Sequence, residues 1–229
     1  MSGSIRCRPR PVSLDAGAVA AVIFRRLRPA PMTRPNQAPP AALGFRVKSG
    51  WAAACLVSGP ASSPSVVDRR VVILSDPGVP RSKQPYHSGT GEAETDPAKL
   101  SKLVKSVERY AGKSLAALFA EYRALGRAPV AVGIAVGTDG DPERIGNQHI
   151  QAHAREGRLF RRVIEDAARA QRLPCSILVE REAYRVAAEI LGGGEDALKR
   201  RVAELGKPLG GSWRAEDKLA ALAAWRALA

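Results

Sequence analysis

Aromatic residues make up only 5% of this 229-residue chain, although 45% of it is hydrophobic. A core of ordinary size is available, but aliphatic side chains and alanine must fill it. Cysteine is also scarce. Cys7, Cys55 and Cys175 are too few and too scattered for a disulfide framework or a cysteine-type zinc site. Cys55 and Cys175 lie in apolar runs, where a free thiol packs as a small hydrophobe, so a reducing, cytoplasmic setting is expected. Long apolar runs are missing too. Residues 16–24, the longest near the start, fall far short of the roughly 20 needed to span a bilayer. Arg25-Arg26 follow them without a small-residue cleavage site, so neither a membrane partner nor a signal peptide is expected. An Arg-rich, acid-poor organelle transit peptide stays open. Absent as well is a glycine-rich phosphate loop: Val136-Gly-Thr-Asp-Gly140 has neither dinucleotide spacing nor a Gly-Lys-Ser/Thr ending.

What the chain has in excess is positive charge, a formal +14 with a pI near 10.4. That favours a polyanionic partner, nucleic acid first. The charge is uneven. Residues 1–42 hold seven arginines and one aspartate, so +6 lies there and +8 remains. This Arg/Pro/Ala-rich leader shows no sustained period and reads as disordered. Met32 is an alternative start, which would remove much of the excess.

From residue 43 the pattern becomes regular. Leu43–Lys48, the pair Ser49-Gly50 and Trp51–Val57 read as a β-hairpin, and Ser65–Leu74 as a third strand. Residues 75–96 form a long connection with Arg81, Lys83 and Tyr86, read as a solvated loop in preference to a phosphate- and base-contacting one. Asp96-Pro97 opens a helix that Gly112 is expected to divide. Pro129–Val136, a turn-rich run, a helix opened by Asn147 and the strand Cys175–Val179 make a βαβ unit with parallel pairing. A short helix follows Glu180, and Ser212 is expected to cap a last helix over residues 213–229.

The order β-β-β-α-β-α-β-α predicts an α/β fold with a ribonuclease-H-like mixed sheet: three antiparallel strands, then two parallel ones, flanked by helices. The sequence resembles the ribonuclease-H-like resolvases over most of residues 43–229. It is most similar to the small Holliday-junction-resolvase-like proteins that trim ribosomal RNA precursors. The resemblance rests on Leu43–Gly50, on Val132–Gly140 with its Asp-Gly turn, on Val179-Glu-Arg181, and on Asp217-Lys218 before small apolar residues. It implies a metal-dependent nuclease of structured DNA or RNA, with Mg²⁺ or Mn²⁺ held by Glu180 and Asp217. The same Asp217 also suits a plain electrostatic role at a helix N-terminus.

Arg46 stands where the resemblance calls for a first-strand aspartate, with Lys48 on the same strand face, and Val179 replaces another acid. The site is then either inactive, leaving a binding or scaffold protein, or rebuilt. A rebuilt site would use His149, His153 and Glu156, which share one helix face, with His149 as a base. Those histidines suit a hydrogen-bonded core position first, a polar ligand-facing role second and a transition metal third. Arg46, Lys48, Arg158 and Arg161 are the expected nucleic-acid contacts.

Overall fold

Every residue from Ala41 to Val47 is buried, and alternation along this run sets the layers. A computed structural model of the chain describes residues 39–89 and 91–229, so the expected leader falls almost wholly outside the described residues. Strand β1 (Ala41–Lys48) starts two residues earlier than expected. It sends Leu43, Phe45 and Val47 into one core and Ala42 into a second. Gly44, Arg46 and Lys48 face the second side by the two-residue period of a strand.

Strand β2 (Trp51–Ser58) returns antiparallel after the Ser49-Gly50 turn, and β3 (Ser65–Ile73) pairs antiparallel with β2. The connection over residues 75–96 is more than a solvated loop. It holds a 3₁₀ turn at Pro80–Lys83 and a small two-stranded ribbon, β4 (His87–Gly89) with β5 (Glu92–Ala93). Helix α1 (Pro97–Ala124) is capped by Asp96, whose carboxylate accepts from the Ala98 and Lys99 N–H groups. It runs through Gly112 unbroken, because the buried stripe Leu103, Val107, Ala111, Leu115 and Leu118 continues past it. Strand β6 (Ala131–Val136) then pairs parallel with β1. Helix α2 (Gln148–Ala170) is capped by Asn147 as expected, and β7 (Cys175–Val179) pairs parallel with β6.

The sheet order is β3-β2-β1-β6-β7, the predicted ribonuclease-H-like arrangement. α1 and α2 cover one face. The other is covered by α3 (Ala183–Leu191), α4 (Glu195–Leu205) and α5 (Ala215–Ala227). Ser212 does not cap α5. Arg214 is its N-cap, and the Asp217 carboxylate accepts from the Arg214 N–H at 3.0 Å.

Helix α5 sits unusually close to the sheet. Gly44 and Gly133 are direct partners on β1 and β6. A Cβ on Gly44 would lie 1.9 Å from the Ala220 carbonyl oxygen, and one on Gly133 would lie 2.1 Å from that of Ala223. Two neighbouring glycines and a helix of small residues thus bring backbone against backbone.

A polar cluster lies on the other face beside β3. The buried Tyr122 hydroxyl donates to Asp68 Oδ2 at 2.6 Å, and Arg70 bridges Asp68 to Glu121. Burial, and then the charge of Asp68, push the Tyr122 phenol above its ordinary value. An unfolded tyrosine ionises near pH ~10 while the folded one keeps its proton. The folded state therefore binds more protons above that pH, and this contribution to stability is present below pH ~10 and lost above it. Urea unfolding from pH 8 to 11 should show a shallower alkaline loss in Tyr122→Phe than in the parent chain. Equal slopes would rule Tyr122 out as a contributor.

Candidate functional site

The carboxyl ends of β1, β6 and β7 lie side by side, the edge at which open α/β sheets bind ligands. At the end of β1, Arg46 is only 4% exposed. Its Nη2 donates to Glu180 Oε2, across β6, and its Nη1 donates to the Val47 carbonyl at 2.5 Å. Glu180 opens the 3₁₀ turn that follows β7, and its side chain is 43% exposed. The expected neighbourhood of Arg46 and Glu180 is thus a direct ion pair. Lys48, next on that face, lies 3.7 Å from Glu216 on α5.

Asp217 is elsewhere. It is held by the Arg214 N–H and by Arg69 Nη1 at 3.3 Å, on β3. Arg69 also donates to the Ser212 and Gly210 carbonyls, fixing the chain just before α5. Glu180 and Asp217 are thus each held by a different arginine, Arg46 and Arg69. The reason is local: α5 starts over β2 and β3, and its first turn uses Asp217 as a capping acceptor. A two-ion centre needs its metals about 3.5–4 Å apart between shared carboxylates. Here each of the two acids is instead paired with an arginine.

On the other face of the sheet, three imidazoles meet. His149 and His153 come from the first turns of α2, and their Nε2 atoms are 3.3 Å apart. The third ring is His87 of β4, from the connection whose importance the sequence concealed. Ring centroids are 5.2 Å for His87–His149, 4.4 Å for His87–His153 and 4.5 Å for His149–His153. Glu156, 0% exposed, lies behind them. Its Oε1 is 2.7 Å from His87 Nδ1, its Oε2 is 3.7 Å from His153 Nδ1, and the Ser49 hydroxyl donates to Oε2 at 3.4 Å. Burial pushes the Glu156 carboxyl up, against the opposing hydrogen bond from His87. Desolvation, then His87 and His149, hold His153 below its ordinary value, which keeps that ring neutral near pH 7. The expected trio of His149, His153 and Glu156 is thus joined by His87, with the rings gathered and the carboxylate behind them.

The expected cationic contacts on α2 are already engaged. Arg161 pairs with Asp139, Arg158 with Asp141 at 3.3 Å, and Arg155 with Glu143 at 2.7 Å. The acids of the β6–α2 turn thus run as a ladder along the helix. A different basic face was missed. Lys99, Lys102, Lys105, Arg109 and Lys113 are all exposed on α1. At 100° per residue they occupy an arc of roughly 120°. Lys99 is 3.9 Å from Asp96 and Arg109 is 3.2 Å from Asp76. Lys102, Lys105 and Lys113 have no acidic partner among the described residues. Their spacing of three and four residues is legible in the sequence.

No protein-family model matches the chain, and no curated protein matches its sequence. Among solved structures it is similar to Thermus thermophilus RuvC in complex with a Holliday junction substrate, with a TM-score of 0.49 and 12% identity over 82% of this chain and 91% of that one. It is also similar to the yeast mitochondrial Holliday junction resolvase Ydc2, with a TM-score of 0.42 and 12% identity over 83% of this chain and 78% of that one. These likenesses concern the path of the chain. Among the described residues, no helix is long and apolar enough to cross a membrane.

Proposed function

We propose that this protein binds structured nucleic acid through the cationic face of α1 and does not cut it by the Mg²⁺ or Mn²⁺ chemistry that the resolvase resemblance implies. The observation that carries the reading is the stripe from Lys99 to Lys113, with three lysines that have no acidic partner among the described residues. From Lys102 to Lys113 it extends about 16 Å along the helix, enough to meet successive phosphates of one strand. Supporting binding over cleavage, Glu180 is paired with Arg46 and Asp217 with Arg69. Arg46 neutralises the acid at the end of β7 rather than reaching a phosphate, and Arg158 and Arg161 serve the loop ladder. Cleavage is the second reading, and the histidine cluster near the Ser49 turn is what favours it.

The test is the affinity of the full chain for a labelled four-way DNA junction, a linear duplex and a structured RNA, each across a salt series. Each phosphate contact contributes about 0.9 to the log–log salt slope on duplex DNA, so Lys102→Gln/Lys105→Gln/Lys113→Gln should lower it by roughly 2–3. An unchanged slope would remove α1 as the interface. The same mixtures with Mg²⁺ or Mn²⁺ should show no cleavage. Cleavage abolished by Glu180→Gln and Asp217→Asn would overturn the binding-only reading.

A further inference from the structure

The whole chain contains three histidines, and all three meet in the cluster described above. His87 is separated from His149 by an entire helix and a central strand, so the meeting is a product of the tertiary fold. One ring nitrogen from each lies within 4.8 Å of the others. We propose that His87, His149 and His153 form a three-imidazole site for a zinc-class transition metal, with one coordination position open to water or an anionic oxygen.

Three features of the geometry point to a metal rather than to packing. First, two nitrogens bound to one tetrahedral zinc at about 2.0–2.1 Å stand about 3.3–3.4 Å apart. The Nε2 atoms of His149 and His153 are 3.3 Å apart. Second, Glu156 has the role of the carboxylate behind a metal-bound histidine. His87 Nδ1 faces that carboxylate at 2.7 Å, which leaves Nε2 as the nitrogen free to present a lone pair to an ion. The second oxygen of the same carboxylate faces Nδ1 of His153, which turns that ring in the same sense. Third, His87 Nε2 is buried and has no hydrogen-bond partner. One shared proton can satisfy the facing nitrogens of His149 and His153, but it leaves His87 Nε2 without a partner, a costly state for a buried polar atom. A metal would take all three lone pairs and so relieve His87 Nε2, while His149 Nδ1, also buried without a hydrogen-bond partner, would keep its hydrogen.

The donor set also selects the ion. Imidazole suits zinc and its transition-metal neighbours, whereas Mg²⁺ prefers oxygen. Three histidines leave a fourth tetrahedral position, as in zinc sites that bind a water or a substrate oxygen. The side chain of His153 is 48% exposed, so the cluster opens to solvent on that side.

Zn²⁺ titration of the full chain, stripped with a chelator and measured in competition with a chromophoric chelator, tests the site without nucleic acid. Its failure would leave the α1 reading untouched. One equivalent should bind, and Co²⁺ in its place should give the visible absorption of a four-coordinate ion. Glu156→Gln should keep the stoichiometry and weaken binding roughly 10–100-fold. His153→Ala should weaken it further while leaving the metal-free melting curve unchanged, because that ring is half exposed. Binding below one equivalent overturns the proposal. So does Zn²⁺ binding that survives His153→Ala, or binding that is lost only when the cysteines are alkylated.

Discussion

Replacing Gly44 by alanine is expected to lower the unfolding midpoint by roughly 6–12 °C. The added carbon would lie 1.9 Å from the Ala220 carbonyl oxygen and 2.6 Å from the Ala224 nitrogen, both main-chain atoms of α5. No rotamer relieves such a contact, so the helix must lift from the sheet. Lifting it loosens the packing of Ala220, Ala223 and Ala224 over β1 and β6, all buried. Overpacking of a tight core costs about 1–3 kcal/mol and more where backbone must move. About 3 kcal/mol at 2–4 °C per kcal/mol for a chain of this size gives the stated shift. Gly112→Ala is the control. Nothing lies within 4 Å of its new carbon, and in the middle of α1 alanine is the better helix former by about 0.5–1 kcal/mol. The same chemical change should therefore move the midpoint in opposite directions at the two positions. A Gly44→Ala protein that melts with the parent would show that α5 does not rest on the glycine pair.

Glu180→Ala is expected to be nearly as damaging, for an electrostatic reason. It leaves Arg46 at 4% exposure with a backbone carbonyl as its remaining partner and Nε already unsatisfied. Removing one member of a buried ion pair costs about 3–5 kcal/mol. Glu180 is itself 43% exposed, so water screens part of the interaction and about 2–3 kcal/mol is the better figure. Thermal melts should fall by roughly 4–12 °C. Adding Arg46→Met should recover most of the loss, since the stranded charge disappears and an unbranched apolar chain replaces it. If Glu180→Ala melts with the parent, or Arg46→Met brings no recovery, the pair does not hold the carboxyl edge together.

The strands were legible because their pattern is strong. Leu43, Phe45 and Val47 alternate with small or polar residues, and Ser49-Gly50 is a turn pair between apolar runs. The order of elements then allowed few topologies, which is why the mixed sheet could be anticipated. Gly112 misled because a single glycine costs less than the burial gained by Leu115, Leu118 and Phe119 beyond it. His87 was out of reach for a different reason. It lies on a strand of three residues with no apolar period, and only the docking of that strand against α2 gives it a role. The case of Asp217 is intermediate. Its place in the first turn of α5 suited either a capping role or a metal, and the contact that the sequence could not show is the one with Arg69 of β3.

The close seat of α5 has a consequence for biosynthesis. The helix is translated only after every strand it covers, and 48 residues separate the end of β7 from its own last residue. At 5–20 residues per second the nascent chain passes about 2–10 s with that side of the sheet uncovered by α5. What is left bare beneath it is small at the centre, Ala42, Gly44, Ala53, Cys55, Gly133 and Ala135, with larger side chains at Val57, Val66 and Leu178. The small side chains at its centre offer little apolar area to a stray partner, so the part shaped for intimate contact in the finished protein is also a poor nucleus for aggregation while it waits.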